Sequence, residues 1–185
     1  MDFIADKLFD KSFSFKKAEY DNCSFDNCDF SDKDLGDSSF IDCTFSDCNF
    51  SMAKVSKTSF RDVVFADCKL LGFRFDQCNE MLFSAEFRNC QLDLASFYRL
   101  KLRKQKFTGC SMREADFSET DLAQAVFDDC DLSNAIFDNT ILEKADLRNA
   151  RHFSIDPENN YVRGMKIALS GSIGLLGKYG LEIDF

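Results

Sequence analysis

The residues best equipped for chemistry in this 185-residue chain are nine cysteines and one histidine, His152. The cysteines stand at 23, 28, 43, 48, 68, 78, 90, 110 and 130. Thiolates in that number could hold zinc, form disulfides or act as nucleophiles, and their spacing decides among these. Zinc ligands come in close pairs such as C-x2-C, whereas every gap here but one is a multiple of five. Nucleophilic catalysis needs an outward-facing cysteine or serine beside a base, and the one imidazole follows all nine cysteines. The sequence holds no G-x-x-x-x-G-K-[ST], no G-x-G-x-x-G and no H-E-x-x-H. Carboxylates are plentiful, with 32 Asp and Glu. A pair of them hydrolyses a glycoside only within a cleft. No enzyme, metal or cofactor is expected.

What must position these residues is a five-residue ruler. It runs Phe15, Tyr20, Phe25, Phe30, Leu35, Phe40, Phe45, Phe50, Val55, Phe60, Phe65, Leu70, Phe75, slips by two, and resumes at Leu82, Phe87, Leu92 and onward to Leu147. Fifteen of the 22 Phe occupy its slots. Two residues before each centre sits mostly Ala, Cys, Ser, Thr or Val, and the other positions are polar. A period of five fits neither an α-helix nor an ordinary strand, so the backbone must turn a corner every five residues. Four sides then close a turn of about twenty residues, and turns stack at ~4.8 Å. Centre and small residue face inward. Cys28, Cys48, Cys68, Cys90, Cys110 and Cys130 fall in one column, in register across the slip only if residues 76–84 carry a two-residue insertion. Stacked thiols ~4.8 Å apart exceed the Cβ separation usual for a disulfide, so the column is read as packing. His152 is read as part of the junction between coil and cap.

The expectation is an all-β, four-sided coil of nearly seven turns over 1–150, with residues 1–12 as a short N-terminal cap. Residues 151–185 lack the ruler and are read as a C-terminal cap and dimerisation module. In it a short helix is expected over 172–179 and a final strand through Leu181 and Ile183.

The net charge of -9 disfavours a nucleic-acid or membrane partner held by bulk charge, and no stretch resembles a signal or spanning segment. A cytoplasmic protein with a basic partner is expected. Residues 19–49 hold nine acidic and one basic residue, 50–113 six and twelve, and 114–147 ten and one. The last band contains Asp116, Glu119, Asp121, Asp128, Asp129, Asp131 and Asp138. Met81 and Phe83 flank the inward Leu82 within the insertion as outward apolar residues, and such groups either mark contacts or fold back under the bulge.

The motif seen in Ala115-Asp116-Phe117-Ser118-Glu119 and Ala145-Asp146-Leu147-Arg148-Asn149 resembles the pentapeptide-repeat family, which implies a right-handed quadrilateral β-helix. Gly164-Met165-Lys166-Ile167, Leu175-Leu176 and Lys178-Tyr179-Gly180-Leu181-Glu182-Ile183 look like the terminal segment of the Qnr quinolone-resistance proteins. That resemblance implies a homodimer made through the cap, here Ile173, Leu175, Leu176, Tyr179, Leu181 and Ile183. It also implies a DNA mimic that binds DNA gyrase or topoisomerase IV and confers quinolone protection. The C-terminal acidic band would face the topoisomerase. The basic waist would repel a DNA-binding saddle and keeps a second expectation open. This is an interaction scaffold that holds another protein through Met81, Phe83 and the run Arg99, Lys101, Arg103, Lys104, Lys106, without DNA mimicry.

Overall fold

The computed structural model describes residues 1–182, the side chain of Leu82 excepted. Parallel ladders wind the chain into a right-handed, four-sided β-solenoid. The first wall is centred on Phe25, Phe45, Phe65, Phe87, Phe107 and Phe127, which pair in one continuous register from Phe9. Its rings stack face to face with centroids 4.7 to 5.5 Å apart. The second wall is centred on Phe30, Phe50, Leu70, Leu92, Met112 and Leu132, and the third on Leu35, Val55, Phe75, Phe97, Phe117 and Phe137. The fourth carries Tyr20, Phe40, Phe60, Leu102, Leu122 and Leu142. Every one of these centres is buried. Rings from adjacent walls meet edge to face, as Phe45 meets Phe50 at 5.0 Å and 85°. The pentad repeat therefore spends its phenylalanines on one dry shaft.

The corners follow from the residues between centres. After most second- and third-wall centres the carbonyl accepts the N–H three residues on, as Phe30 O does from Lys33 at 3.1 Å, and the intervening residue is left-handed, as in Asp32 at φ 55°. This is a type II turn. The residue before the centre often caps it from its side chain. Asp29, Asp116, Asp121 and Asp131 each accept, through Oδ1, the N–H two residues on, at 2.9 to 3.1 Å. Corners that follow the strands of the first and fourth walls place Asp6, Asn22, Asn27, Asp42, Asp47, Asp62, Asp67, Asn89, Gly109 and Asp129 at positive φ. These residue types tolerate the left-handed region best. Much of the chain's acidity is thus demanded by its corners.

The small inward slot has a hydrogen-bonding role as well. In the second wall Cys48, Cys68 and Cys90 donate Sγ–H to the carbonyls of Phe25, Phe45 and Phe65 in the turn before, at 3.4 to 3.5 Å. In the fourth wall Thr58, Thr120 and Thr140 make the same bond to Leu35, Phe97 and Phe117 at 2.8 to 2.9 Å. Burial pushes the Cys28 and Cys43 thiols up to about 12.

The two-residue insertion sits in 78–84. Thr44 pairs with Val64, twenty residues on, whereas Val63 pairs with Ala85, twenty-two on, and a 3₁₀ turn at Glu80–Leu82 takes up the difference. At both ends the coil runs further than the ruler. Asp2–Ala5 and Leu8–Phe9 pair in parallel with Ala18–Asp21 and Ser24–Asp26 at a spacing of sixteen, so the N-terminal residues form a shortened first turn. Beyond residue 150, Asp131 bridges Arg151, Ile141 bridges Tyr161 and Asp146 bridges Lys166, so the ladder enters the segment assigned to the cap. The expected helix over 172–179 is two 3₁₀ pieces, Leu169–Leu175 and Gly177–Tyr179. Glycines at 171, 174 and 177 remove the side-chain packing and propensity an α-helix would need. Leu181 lies in no strand, and Ile183 falls outside the described residues.

Candidate partner-binding surface

The acidic residues singled out in the C-terminal band are distributed around the whole rod. Asp116 and Asp138 lie on the third wall, with Glu119 at its corner; Asp121 is on the fourth, Asp131 on the second, and Asp128 with Asp129 on the first. Most are also neutralised. Glu119 is held by Arg99 at 2.7 Å and by the Tyr98 hydroxyl at 3.0 Å, which together draw its carboxyl below the usual range. Asp121 meets Arg103 at 3.0 Å, and Asp129 meets Arg151 at 2.6 Å. Burial acts to raise Asp131, but hydrogen bonds from Ser133, His152 and Arg113 outweigh it and hold the carboxyl far below its ordinary value. His152 occupies a corner at φ 60° with Nδ1 2.9 Å from that carboxylate. Asp116 serves its own turn, and Asp128 accepts from Asn149 at 2.8 Å. A shallow depression of about 650 Å³ on this part of the first wall is of mixed charge, lined by Lys106, Asp128, Asp146 and Arg148, with Arg148 bound to Asp146 at 2.7 Å.

The N-terminal half of the first wall is different. Over three successive turns, residues 22–27, 42–47 and 62–67, it carries Asp26, Asp42, Asp47, Asp62 and Asp67 and no Lys or Arg. All five are exposed. Asp62 accepts from Ser84 Oγ at 3.0 Å and Asp67 from Asn89 at 3.2 Å, both neutral donors, and none of the five has a cationic partner among the described residues. Asp42 and Asp62 line one edge of the wall, Asp47 and Asp67 the other, with Ser24, Thr44, Ser46, Val64 and Ala66 between. Three turns rise about 14 Å. Five charges over that rise are about one per 3 Å, roughly half the linear density of duplex DNA.

A family profile described as pentapeptide repeat region matches residues 13–80 and 80–152. The chain belongs to the pentapeptide-repeat family. No curated protein sequence matches it. Among solved structures, this pentapeptide-repeat protein is similar to a trypsin-treated form of QnrB1, a plasmid-mediated fluoroquinolone resistance protein. The identity is 21% and the TM-score 0.51, with 99% of this chain and 98% of that one covered. It is also similar to HetL, a pentapeptide-repeat protein involved in heterocyst differentiation regulation in Nostoc sp. strain PCC 7120, at 14% identity, TM-score 0.36, and 89% and 85% coverage. A third is Rfr23 of Cyanothece 51142, at 13% identity, TM-score 0.30, and 66% and 89% coverage. At 21% identity the likeness to QnrB1 bears on the fold alone.

The other expected contact residues of this pentapeptide-repeat protein divide. Met81 stands out at 86% exposure, whereas Phe83 folds back under the insertion, its ring 5.7 Å from that of Phe75. At the C-terminal end Leu175 packs against the core and Ile173 is half-buried, while Leu176, Tyr179 and Leu181 are exposed, as are Leu169 and Tyr161. Lys178 ties this end down through Asp156 at 2.8 Å and Glu158 at 2.7 Å. No helix among the described residues is long and apolar enough to cross a membrane. Asp26, Asp42 and Asp47 fall in the acidic stretch 19–49 but Asp62 and Asp67 in the basic stretch 50–113, so the acidic first wall crosses the boundary between the two bands. Sorting the same residues by their place in the twenty-residue turn separates it.

Proposed function

We propose that this protein is a non-catalytic binding rod of Qnr type whose first wall, from Asn22 to Asp67, seats on the DNA-binding surface of a type II topoisomerase in the cytoplasm. The observation that carries this reading is the set of five carboxylates, none with a cationic partner among the described residues, on three turns of the first wall that hold no other charge. A surface built to take the phosphates of a duplex presents Lys and Arg, and two edges of carboxylates on a stiff, twisted rod meet it with matching sign. The C-terminal segment Gly164 to Ile183 adds support through its resemblance to the Qnr terminus, and QnrB1 is itself a fluoroquinolone resistance protein. Exposed Leu169, Leu176, Tyr179 and Leu181 give the rod an apolar end that a second copy would cover, making the homodimer. Nucleic acid is not bound directly, since the wall repels phosphate.

The test is a supercoiling assay with purified gyrase, with and without ciprofloxacin. The protein is expected to inhibit supercoiling or to restore it in the presence of drug at about 5 μM. The variant Asp42→Lys, Asp47→Lys, Asp62→Lys, Asp67→Lys should lose the effect, whereas Asp128→Lys, Asp129→Lys should keep most of it. No effect of the unaltered protein on gyrase or topoisomerase IV would overturn the topoisomerase reading. Light scattering that gives a monomeric mass would overturn the dimer.

A further inference from the structure

The insertion at 78–84 interrupts an otherwise regular surface, and it is held in one shape. Asn79 accepts the Met81 N–H through Oδ1 at 3.3 Å and donates its amide to Ser59 Oγ at 3.2 Å. At the other end Ser84 N–H donates to the Phe60 carbonyl at 2.9 Å and its hydroxyl to Asp62 at 3.0 Å. Phe83 is drawn inward against Phe75. A loop pinned at both ends and anchored by an aromatic ring does not need an outward thioether for its own stability. Met81 is nevertheless presented at its tip, 86% exposed.

The fourth wall around this tip is cationic. Lys57 stands at the corner leading into the wall and Arg61 on the turn before the loop. Lys101 and Lys104 stand on the turn after it. None of the four has a carboxylate partner among the described residues, in contrast to Arg99 and Arg103 nearby, which are held by Glu119 and Asp121. Glu80 and Asp62 are the carboxylates of the same stretch, so four free cations face two acids. Methionine is the adaptable apolar side chain that recurs on surfaces able to accept varied partners. A phosphate backbone offers such a side chain nothing, whereas an acidic polypeptide offers both a leucine or phenylalanine for the thioether and carboxylates for the flanking cations.

We infer that the insertion and its four flanking cations form a second docking surface, for an acidic protein segment whose apolar side chain seats on Met81. The surface has the opposite sign to the first wall and lies around the corner from it, so the two can be engaged together.

Fluorescence anisotropy with a labelled Glu-Asp-Glu-Leu-Asp-Glu peptide tests this on the full chain. Binding with Kd of about 10 μM at low salt is expected, weakening steeply as salt rises to about 0.5 M. Met81→Ser should weaken it about tenfold, and replacing the peptide's leucine by serine should do the same. Lys101→Glu with Lys104→Glu should abolish it. These changes touch exposed side chains, and thermal melting verifies that each variant is folded. The first-wall variant Asp26→Lys, Asp47→Lys should retain the peptide, so this surface stands or falls separately from the topoisomerase reading. Absence of binding up to about 500 μM, equal binding by Met81→Ser, or tighter binding of an oligothymidylate of equal charge would each overturn the inference.

Discussion

Raising the pH should destabilise this protein through its cysteines. Cys28 and Cys43 are 2% and 1% exposed, and burial pushes both thiols up to about 12. In the unfolded chain a thiol titrates near pH 8.5. A group whose pKa is raised by folding contributes fully below its unfolded value and loses that contribution as pH climbs toward its folded one. Between about pH 8.5 and 12 the unfolded state sheds a proton that the folded state keeps, at a cost of up to ~1.4 kcal/mol per pH unit per thiol. Discounting for solvent screening near the corners, each of the two should cost roughly 1 kcal/mol by pH 10. That is a noticeable part of a stability of ~5–15 kcal/mol. Urea unfolding followed by circular dichroism at several values from about pH 7.5 to 10 measures it, with the variant Cys28→Ala, Cys43→Ala alongside. Alanine fills the same slot at Ala95 and Ala115, so the variant folds. It should be less stable than the unaltered protein by roughly 2 kcal/mol near neutrality. The gap should close toward pH 10. Curves that fall in parallel, with a constant gap, would refute the reasoning.

Three further outcomes are expected. Gly174→Ala sets a methyl on the Phe153 carbonyl, so the 3₁₀ end should detach, seen as new proteolytic cleavage after residue 165 with the coil's own melting little changed. Gln124 is exposed at φ 62° with no side-chain hydrogen bond among the described residues, so Gln124→Asn should raise stability by about 0.5–1 kcal/mol in urea titration. Asp131 is depressed in the folded state, and its contribution is present above the ordinary carboxylate range and lost as pH falls below that range toward the lower folded value. Asp131→Ala should therefore cost about 1–2 kcal/mol at pH 7 and progressively less toward pH 3, by the same titration.

The coil was legible because its signal is strict. A large apolar residue at every fifth position fits neither helix nor ordinary strand and calls for a corner every five residues, and the cysteine column gave both the twenty-residue turn and the two-residue insertion. The ends were less legible. Residues Asp2 to Phe9 pair with the next turn at a spacing of sixteen, a period the ruler does not contain. Tyr161 and Lys166 sit on the ladder while Pro157 and Gly164 break the pattern around them. How the C-terminal acidic band is paired was not legible for a different reason. Adjacent residues in sequence occupy different walls, and Asp121, Asp129 and Asp131 find Arg partners eighteen to twenty-two residues away, which no count along the chain registers. Phe83 and Met81 look alike in sequence, yet one is absorbed by Phe75 and the other is not, a distinction only the folded loop makes.

The backbone hydrogen bonds that join one turn to the next run along the rod, because the strands run across it. Tension applied between the two ends would load those bonds in sequence, not in shear, and would open the coil rung by rung from whichever end is weaker. The protein should behave as a soft spring when stretched lengthwise and as a stiff beam when bent, since bending must crush the stacked aromatic shaft. A binding partner that grips one wall would feel the beam, and a protease or unfoldase that pulls on a terminus would feel the spring.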